Sequence, residues 1–451
     1  ATTEIYTTAH TLTLHDALTI SNITRKSKIY FMKILVIGSG AREHALCYLI
    51  SKSSLVSSIY AIPGNYGISQ LAECEQIDQT DFEKIYDFCK SKMIELVIVG
   101  PEVPLVAGIV DFFKETEIKI FGPDKYASQL EGSKGFMKDL CKQNRIPTAD
   151  YARFDNKEEA INYLNAQSLP IVIKADGLAA GKGVTVADTK KMAEQAINDI
   201  FDEKFGANMD VVIEEFMDGE EASYFVCCDG EDFVSLESAQ DHKRIGENDT
   251  GPNTGGMGAY SPAPIFTPKI KEQVDREIIT PTLNALKKNG HPYKGILYAG
   301  LMIKDGYARL VEYNIRFGDP ECQVLMLRMK NDLIKLILNC LEGSLSKTKL
   351  EWEDDNSATV VVAAKGYPGD YKKNTKIIGY ENFESNDLFQ VFHAGTKHDG
   401  NNLLANGGRV LSVTAKNKNL RDALNMIYAY IGQLDWPDGY YRRDIGKKAI
   451  K

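Results

Sequence analysis

The sequence lacks paired cysteines, long apolar runs and an excess of positive charge. Its eight cysteines are scattered without a CxxC pair or metal-ligand spacing, which predicts reduced thiols and a cytoplasmic location. The longest apolar runs are about half of the roughly 18 residues that a membrane span needs. Lys and Arg number 53 against 62 Asp and Glu, a net charge of −9. This balance argues against sequence-independent binding to nucleic acid or to an anionic membrane.

What is present is ordinary for a globular protein. The chain has 451 residues, 43% of them hydrophobic and 25% charged, which at roughly 100 to 200 residues per domain predicts about three domains. Residues 1–31 fit neither a helix nor a strand pattern and end just before Met32. We expect them to be a non-native or disordered extension, with an Arg-rich transit peptide as the alternative.

From Met32 the pattern alternates strands and helices. Apolar strands at 34–37, 58–62 and 96–99 end in the turns 38–40, 63–67 and 100–104. This alternation predicts an N-terminal doubly wound parallel-sheet domain over residues 32–131. Because ligands bind at the carboxyl ends of parallel strands, the three turns are expected to face one ligand.

The first turn imitates a dinucleotide-binding fingerprint without completing it. Gly38 and Gly40 are spaced correctly, but Glu43 stands where the third glycine belongs, and no acidic residue closes the second strand. The pattern therefore favours a phosphate or sugar phosphate held by backbone amides at a helix N-terminus. A simple tight turn remains the alternative.

The middle of the chain carries a pattern suited to a nucleoside triphosphate. Lys134 opens a predicted helix, and Lys174 ends a β-branched strand that runs into the glycine-rich segment 175–184. Glycines let backbone amides approach phosphates, and lysines offset phosphate charge. The spacing is not that of a Walker loop, so a P-loop fold is disfavoured.

Two acidic strands extend this prediction. Strand 211–215 ends in carboxylates beside an aromatic residue, a pattern suited to adenine and ribose but equally common in solvated turns. Further on, Glu312 and Asn314 are two residues apart on one strand and so share a face. Their oxygen atoms suit Mg²⁺, although an exposed strand face would give the same pattern.

Taken together, these motifs resemble the ATP-grasp ligases, and within them the phosphoribosylamine–glycine ligase family. The resemblance covers nearly all of 32–451 and rests on long segments in one order. These segments are 38–45, 100–105, 174–184, 238–244, 250–262, 312–321, 366–370 and 392–396.

The resemblance implies ATP-dependent ligation of glycine to 5-phosphoribosylamine, a carbon–nitrogen bond-forming step of purine synthesis. Glycine would first become glycyl phosphate, and the amine would then displace phosphate. A carboxylate becomes a good electrophile only when one oxygen is a leaving group, and the acyl phosphate must be shielded from water. Positioning and charge neutralisation then dominate, so no nucleophilic side chain is needed.

The resemblance also implies roles for individual residues. Catalytic roles fall to Arg316, Asp241 and Lys243. ATP contacts fall to Lys134, Lys174, Gly181, Lys182, Gly183, Glu214, Glu215, Phe216 and Glu221. The substrates are expected at Gly38, Gly40, Arg42, Glu43, His44, Gly64, Asn65, Pro101, Glu102, Asp241, His242, Arg316 and Gly318. The metal, Mg²⁺ or Mn²⁺, is expected at Glu312 and Asn314 alone, since 298–302 carries no acidic residue.

The family pattern places an ATP-grasp domain at 132–352, with a mobile lid subdomain at about 146–219, and a small C-terminal α+β domain at 353–451. The absence of heptads or an exposed apolar repeat favours a monomer and leaves a weak dimer open. Two alternatives stand beside the ligase. One is another ATP-grasp enzyme that uses bicarbonate, and the other is a non-catalytic nucleotide-binding protein on the same fold.

Overall fold

The computed structural model describes residues 31–178, 183–382 and 385–450. No helix within these ranges is long and apolar enough to cross a membrane. Residues 1–30 of the predicted extension and residues 179–182 of the glycine-rich segment 175–184 lie outside the described residues.

The N-terminal unit is the predicted parallel sheet. Its strand order is β3-β2-β1-β4-β5, and every neighbouring pair is parallel. The central strand buries Ile34, Leu35, Val36 and Ile37 completely, because helices cover both faces of the sheet. The strands are β1 (Met32–Gly38), β2 (Val56–Pro63), β3 (Glu73–Cys74), β4 (Leu96–Val99) and β5 (Lys119–Phe121), and the helices are α1 (Ala41–Ser51), α2 (Phe82–Lys92), α3 (Glu102–Ala107), α4 (Ile109–Phe113) and α5 (Gln129–Gly132).

Helix α6 (Lys134–Gln143) leads into a small antiparallel sheet. Ser133 caps this helix by accepting a hydrogen bond from the Phe136 amide. The sheet has the order β6-β9-β7-β8 and packs two helices over a core of its own. Its elements are β6 (Tyr151–Phe154), α7 (Lys157–Asn165), β7 (Ile171–Ala175), β8 (Val184–Ala187), α8 (Lys190–Phe201) and β9 (Val211–Glu215).

A nine-stranded sheet forms the body of the molecule. Its order is β16-β15-β10-β11-β14-β17-β22-β19, with β23 paired to β17. The first five strands of that order belong to the middle of the chain: β10 (Glu220–Asp229), β11 (Phe233–Asp241), β14 (Gly258–Ser261), β15 (Lys294–Lys304) and β16 (Tyr307–Asn314). The C-terminal part adds β17 (Asn356–Ala364), β19 (Phe389–His393), β22 (Arg409–Asn417) and β23 (Gly439–Tyr440). The predicted C-terminal α+β module therefore continues the same sheet through the β14–β17 pairing.

The remaining elements cover this sheet or project from it. A hairpin of β12 (Arg244–Gly246) and β13 (Thr250–Asn253) follows β11, and a three-stranded sheet has the order β18-β21-β20. Its strands are β18 (Thr375–Ile377), β20 (Thr396–His398) and β21 (Leu403–Ala405). The helices are α9 (Pro268–Val274), α10 (Thr280–Lys288), α11 (Glu321–Arg328), α12 (Leu333–Leu341) and α13 (Leu420–Ile431).

Candidate functional site

The three predicted turns meet at the carboxyl edge of the N-terminal sheet. The Gly64 amide donates to the Gly38 carbonyl at 3.2 Å, and the Gly100 amide donates to the Ile37 carbonyl at 3.0 Å. The Asn65 side chain donates to the Ser39 carbonyl at 2.9 Å. One edge therefore gathers Gly38, Gly40, Gly64, Asn65, Pro101 and Glu102 of the predicted substrate residues.

Glu43 explains why the first turn departs from a dinucleotide fingerprint. Its carboxylate is 1% exposed and accepts from the Gly40 amide at 2.7 Å, which caps helix α1. The neighbouring Arg42 guanidinium donates to Glu43 at 2.5 Å and to the Phe317 carbonyl at 3.1 Å. These contacts hold the turn and join it to the loop after β16. The substrate contacts expected of both side chains stay predictions.

His44 links the N-terminal unit to the C-terminal one. Its Nδ1 accepts from the His393 amide at 2.8 Å, and the Asn65 side chain donates to the His393 carbonyl at 2.7 Å. Burial lowers the pKa of His44 well below its ordinary value, and His393 acts in the same direction. The engaged Nδ1 makes a contact between the two units, and the expected substrate contact stays a prediction.

A β-bulge brings Glu312 and Asn314 onto the functional face. Gly300 of β15 pairs with Glu312, whereas the next residue, Leu301, pairs with Leu310, so Val311 is an extra residue in β16. Leu310 and Tyr313 are both in the core, which shows that the alternation of faces changes phase here. Without the bulge, Glu312 would face the core beside Leu310.

Three lysines surround Glu312. Lys243 Nζ lies 3.4 Å from its carboxylate and 2.8 Å from Glu221. Burial acts to raise the pKa of Glu312, but Lys243, Lys174 and Lys134 outweigh it and hold that pKa at about 2. Glu312 is therefore an ionised oxygen donor at neutral pH.

These residues fit a divalent metal bound together with phosphates. Within the described ranges, no group of three or more His, Cys, Asp or Glu could hold a metal. The protein side would thus supply the Glu312 carboxylate and the Asn314 amide oxygen, and Mg²⁺ commonly completes such a set with phosphate oxygens and water.

Hydrogen bonds from the start of helix α6 hold the first residues of the glycine-rich segment in place. Lys134 Nζ donates to the Gly177 carbonyl at 2.8 Å, and Asp176 accepts from Ser133 Oγ and the Gly135 amide, both at 3.2 Å. The Gly183 carbonyl accepts from Ala175 at 2.8 Å. The predicted contacts Gly181 and Lys182 lie outside the described residues.

The predicted adenine and ribose residues separate into two groups. Glu214 is 2% exposed and lies between two lysine ammonium groups, Lys138 at 3.0 Å and Lys174 at 2.9 Å. Its carboxylate lies in two ion pairs, and the expected nucleotide contact stays a prediction. Phe216 is 40% exposed and available to a ligand. Glu215 pairs with Arg309, and Glu221 pairs with Lys243.

Asp241 and His242 follow each other at the end of β11 but differ in environment. The His242 ring, 3% exposed, lies with Nδ1 3.2 Å from the Gly258 carbonyl, and its Nε2 accepts from the Gly446 amide at 3.3 Å. Both ring nitrogens thus have partners within the chain, and the expected substrate contact stays a prediction. Burial and the nearby Glu321 carboxylate raise the pKa of Asp241 well above its ordinary value. Asp241 is the better candidate for proton transfer.

Arg316, for which the resemblance implied a catalytic role, has three partners within the chain. It donates to Glu102 at 3.2 Å, to Glu131 at 2.7 Å and to the Phe317 carbonyl at 3.2 Å. Its charge is offset by two carboxylates, so it joins α3 and α5 to the loop after β16. Gly318 lies in that loop, where a Cβ would overlap the Glu321 carboxylate.

Two residues that join the parts of the chain beside the candidate site were missed by sequence reasoning. Arg409 of β22 donates to the carbonyls of Asp319 at 2.5 Å and Gly255 at 2.7 Å. The Asp319 carboxylate accepts from the Arg42 amide at 3.4 Å and lies 3.5 Å from Arg409. Asp319 thereby touches all three parts of the chain. Its place within a recognised motif was a usable signal, whereas Arg409 carried none.

Comparison with known proteins agrees with the division of the chain into three parts. Three family models match in order: phosphoribosylglycinamide synthetase N domain at residues 32–131, its ATP-grasp (A) domain at 132–322 and its C domain at 357–448. Proteins named phosphoribosylamine–glycine ligase from Mesorhizobium japonicum and Agrobacterium fabrum are each 52% identical over 420 residues, which is 93% of this chain and 99% of each relative.

Solved structures extend the likeness to the fold. The phosphoribosylamine–glycine ligase of Thermotoga maritima is 31% identical, with a TM-score of 0.79 over 92% of this chain and all of that one. A biotin carboxylase domain from Hydrogenobacter thermophilus has a TM-score of 0.68 over 91% of this chain and 92% of that one, but at 16% identity it shares the fold alone. The order of the three domains and the identity over nearly the whole length lead to one conclusion: the chain belongs to the phosphoribosylamine–glycine ligase family.

Proposed function

We propose that this chain ligates glycine to 5-phosphoribosylamine and converts ATP to ADP and phosphate. The observation that carries this proposal is that the family match spans 99% of its relatives. Two features support it: the charged crevice around Glu312, where Lys134, Lys174 and Lys243 act on that carboxylate, and the three turns at one edge of the N-terminal sheet.

Lys134 and Lys174 would neutralise the phosphates of ATP. Burial lowers the pKa of Lys134, and Lys174 acts in the same direction while Glu312 opposes them. A phosphate group beside these lysines would favour their charged forms. Lys174 is 4% exposed, so its charge is little screened by water.

Glu312 and Asn314 would hold Mg²⁺ or Mn²⁺, which supplies charge stabilisation to the transferring phosphoryl group. Lys243 would keep Glu312 and Glu221 in place. The glycine carboxylate oxygen would attack the γ-phosphorus, and the bond from that phosphorus to the β–γ bridging oxygen would break, leaving glycyl phosphate and ADP.

In the second step, the phosphoribosylamine nitrogen would attack the glycyl carbonyl carbon. The carbon–oxygen bond to phosphate would break, and the nitrogen would lose a proton. Asp241 is our candidate acceptor: burial and the nearby Glu321 carboxylate raise its pKa, which makes its ionised form a stronger base. The turns at Gly38, Gly64 and Gly100 would hold the sugar phosphate through backbone amides.

The proposal also covers the compartment in which the chain acts and its oligomeric state. All eight cysteines are free and seven are buried, which supports a reducing compartment such as the cytoplasm. We further propose a monomer, which light scattering of the purified chain would test.

The test is ADP release by the purified protein with MgATP and phosphoribosylamine generated in place. Glycine is supplied, omitted or replaced by bicarbonate. We expect ADP release only when glycine and the amine are both present. Release that depends on bicarbonate would assign the chain to a carboxylase activity instead, and no release with either acid would contradict catalysis.

A further inference from the structure

Lys138 is a buried lysine for which the proposed reaction has no use. It lies on α6 one turn after Lys134 and is fully buried. Its ammonium lies 3.0 Å from Glu214 Oε2 and donates to Thr148 Oγ1 at 2.8 Å and to the Ala149 carbonyl at 3.3 Å. An ammonium has three donors. All three have partners, so Lys138 has none left for a phosphate.

Lys174 lies against the other oxygen of the same carboxylate. Its Nζ lies 2.9 Å from Glu214 Oε1, yet that oxygen makes no hydrogen bond of acceptable geometry in the structure. The contact is an ion pair in which the donors of Lys174 stay available to a ligand. Glu214 thus has one oxygen fixed by Lys138 and one beside Lys174.

Charge counting shows what this arrangement does. Lys138 and Lys174, with only the Glu214 carboxylate between them, leave one net positive charge in a buried place. Lys134 is near enough for Lys174 to lower its pKa. Burial lowers the pKa of Lys138, and Glu214 opposes this change. If Lys138 were neutral, Glu214 and Lys174 would form a closed neutral pair, and the phosphates would lose a cation.

We propose that Lys138 is a positioning residue for ATP, which occupies one oxygen of Glu214 and offsets its charge so that Lys174 remains available to a phosphate. This inference rests on the proposed function of the crevice as the ATP site. It differs from that function because Lys138 acts only through Glu214 and Lys174, without contacting ATP.

The role predicts that the effect of Lys138 grows with the number of phosphates. We would titrate ATP, ADP, AMP and adenosine, with MgCl₂, into the full chain by calorimetry. Lys138→Met is expected to weaken ATP binding about tenfold, a usual size for coupling within one ion-pair network. It should weaken ADP less and adenosine not at all. Lys138→Arg should restore part of the loss.

Lys142→Met is the matched control. Lys142 lies one turn further on α6, and its Nζ is 5.9 Å from the Tyr151 ring centre, compared with 6.0 Å for Lys138. It is exposed, and we expect unchanged binding. Should Lys138→Met fail to fold, Lys138→Gln keeps a donor without the charge and should show the same graded loss.

Two outcomes would overturn the proposal. An equal loss for ATP and adenosine would mean that Lys138 only supports the fold, and no loss in folded variants would mean that Lys174 does not depend on it. Wild-type binding separates the two claims. A wild-type chain that bound no ATP would contradict the proposed function and this inference with it, whereas normal wild-type binding confines any failure to Lys138.

Discussion

Gly100→Ala tests whether the packing of the three turns on Glu43 holds the substrate edge together. A Cβ at Gly100 would overlap Glu43 Oε1 and lie 2.6 Å from its Cγ. The backbone of Gly100 is outside the left-handed region, so the conflict is steric and arises from this one neighbour. Glu43 cannot move into solvent, since it is 1% exposed beneath the turn.

The size of the effect follows from two costs. Forcing a methyl group into a filled space costs about 1 to 3 kcal/mol. Displacing Glu43 also removes the cap on the Gly40 amide, worth about 0.5 to 2 kcal/mol. The free energy of unfolding should therefore fall by about 1.5 to 5 kcal/mol. At roughly 2 to 4 °C per kcal/mol, the thermal midpoint should fall by at least about 3 °C.

The assay is differential scanning calorimetry, with Gly432→Ala as the control. Gly432 ends α13 with a helical φ of −65°, and a Cβ there would lie 3.3 Å from the Tyr428 carbonyl. We expect that control to change the midpoint little. Gly100→Ala should also raise KM for phosphoribosylamine, because Gly38 and Gly40 shift with Glu43. A midpoint and KM equal to those of the wild type would refute the reasoning.

Two further predictions concern the charged crevice and the contact between the N- and C-terminal units. Glu312→Ala should reduce turnover by about a hundredfold to a thousandfold because it removes a metal ligand. Glu277→Ala, the control, should leave turnover unchanged. Near-normal ADP release by Glu312→Ala would contradict the metal assignment. Burial lowers the pKa of His393 to about 4, whereas an unfolded histidine has about 6.5, so between these values only the unfolded state binds the proton. This contribution to stability is complete above about pH 6.5 and is lost towards pH 4, up to about 3 kcal/mol. His393→Asn should make the urea unfolding midpoint depend less on pH across this range, whereas exposed His398→Asn should not. If the wild type and His393→Asn showed the same dependence on pH, His393 would be excluded as its source.

The local elements could be predicted from the sequence because their signals are local. Strand β9 was expected at 211–215 and is Val211–Glu215, and Lys134 was expected at a helix start and begins α6. The edge formed by the three turns was also predictable, since the carboxyl ends of parallel strands lie on one side of a sheet. The family motifs at 38–45 and 100–105 pointed to the same edge.

The environment of individual side chains could not be predicted in this way. Glu214, His242 and Arg316 fit a list of ligand contacts, yet each is bound by groups from distant parts of the chain: Lys138, Gly446 and Glu131. Tertiary packing brings such partners together, and the spacing of residues along the chain does not predict them. The C-terminal domain was expected, but the pairing of its strand β17 with β14, which joins it to the central sheet, was not.

The sequence by itself determined the parallel sheet, the glycine turns, the lysine-bearing strand and membership of the family, because these depend on periodicity and on residue order. Only the tertiary structure decided which charged groups are free. The bulge at Val311 turns Glu312 out of the core, and Lys138 occupies Glu214 beside Lys174. Both depend on strand register and on contacts between distant segments, which the energy of the whole fold sets.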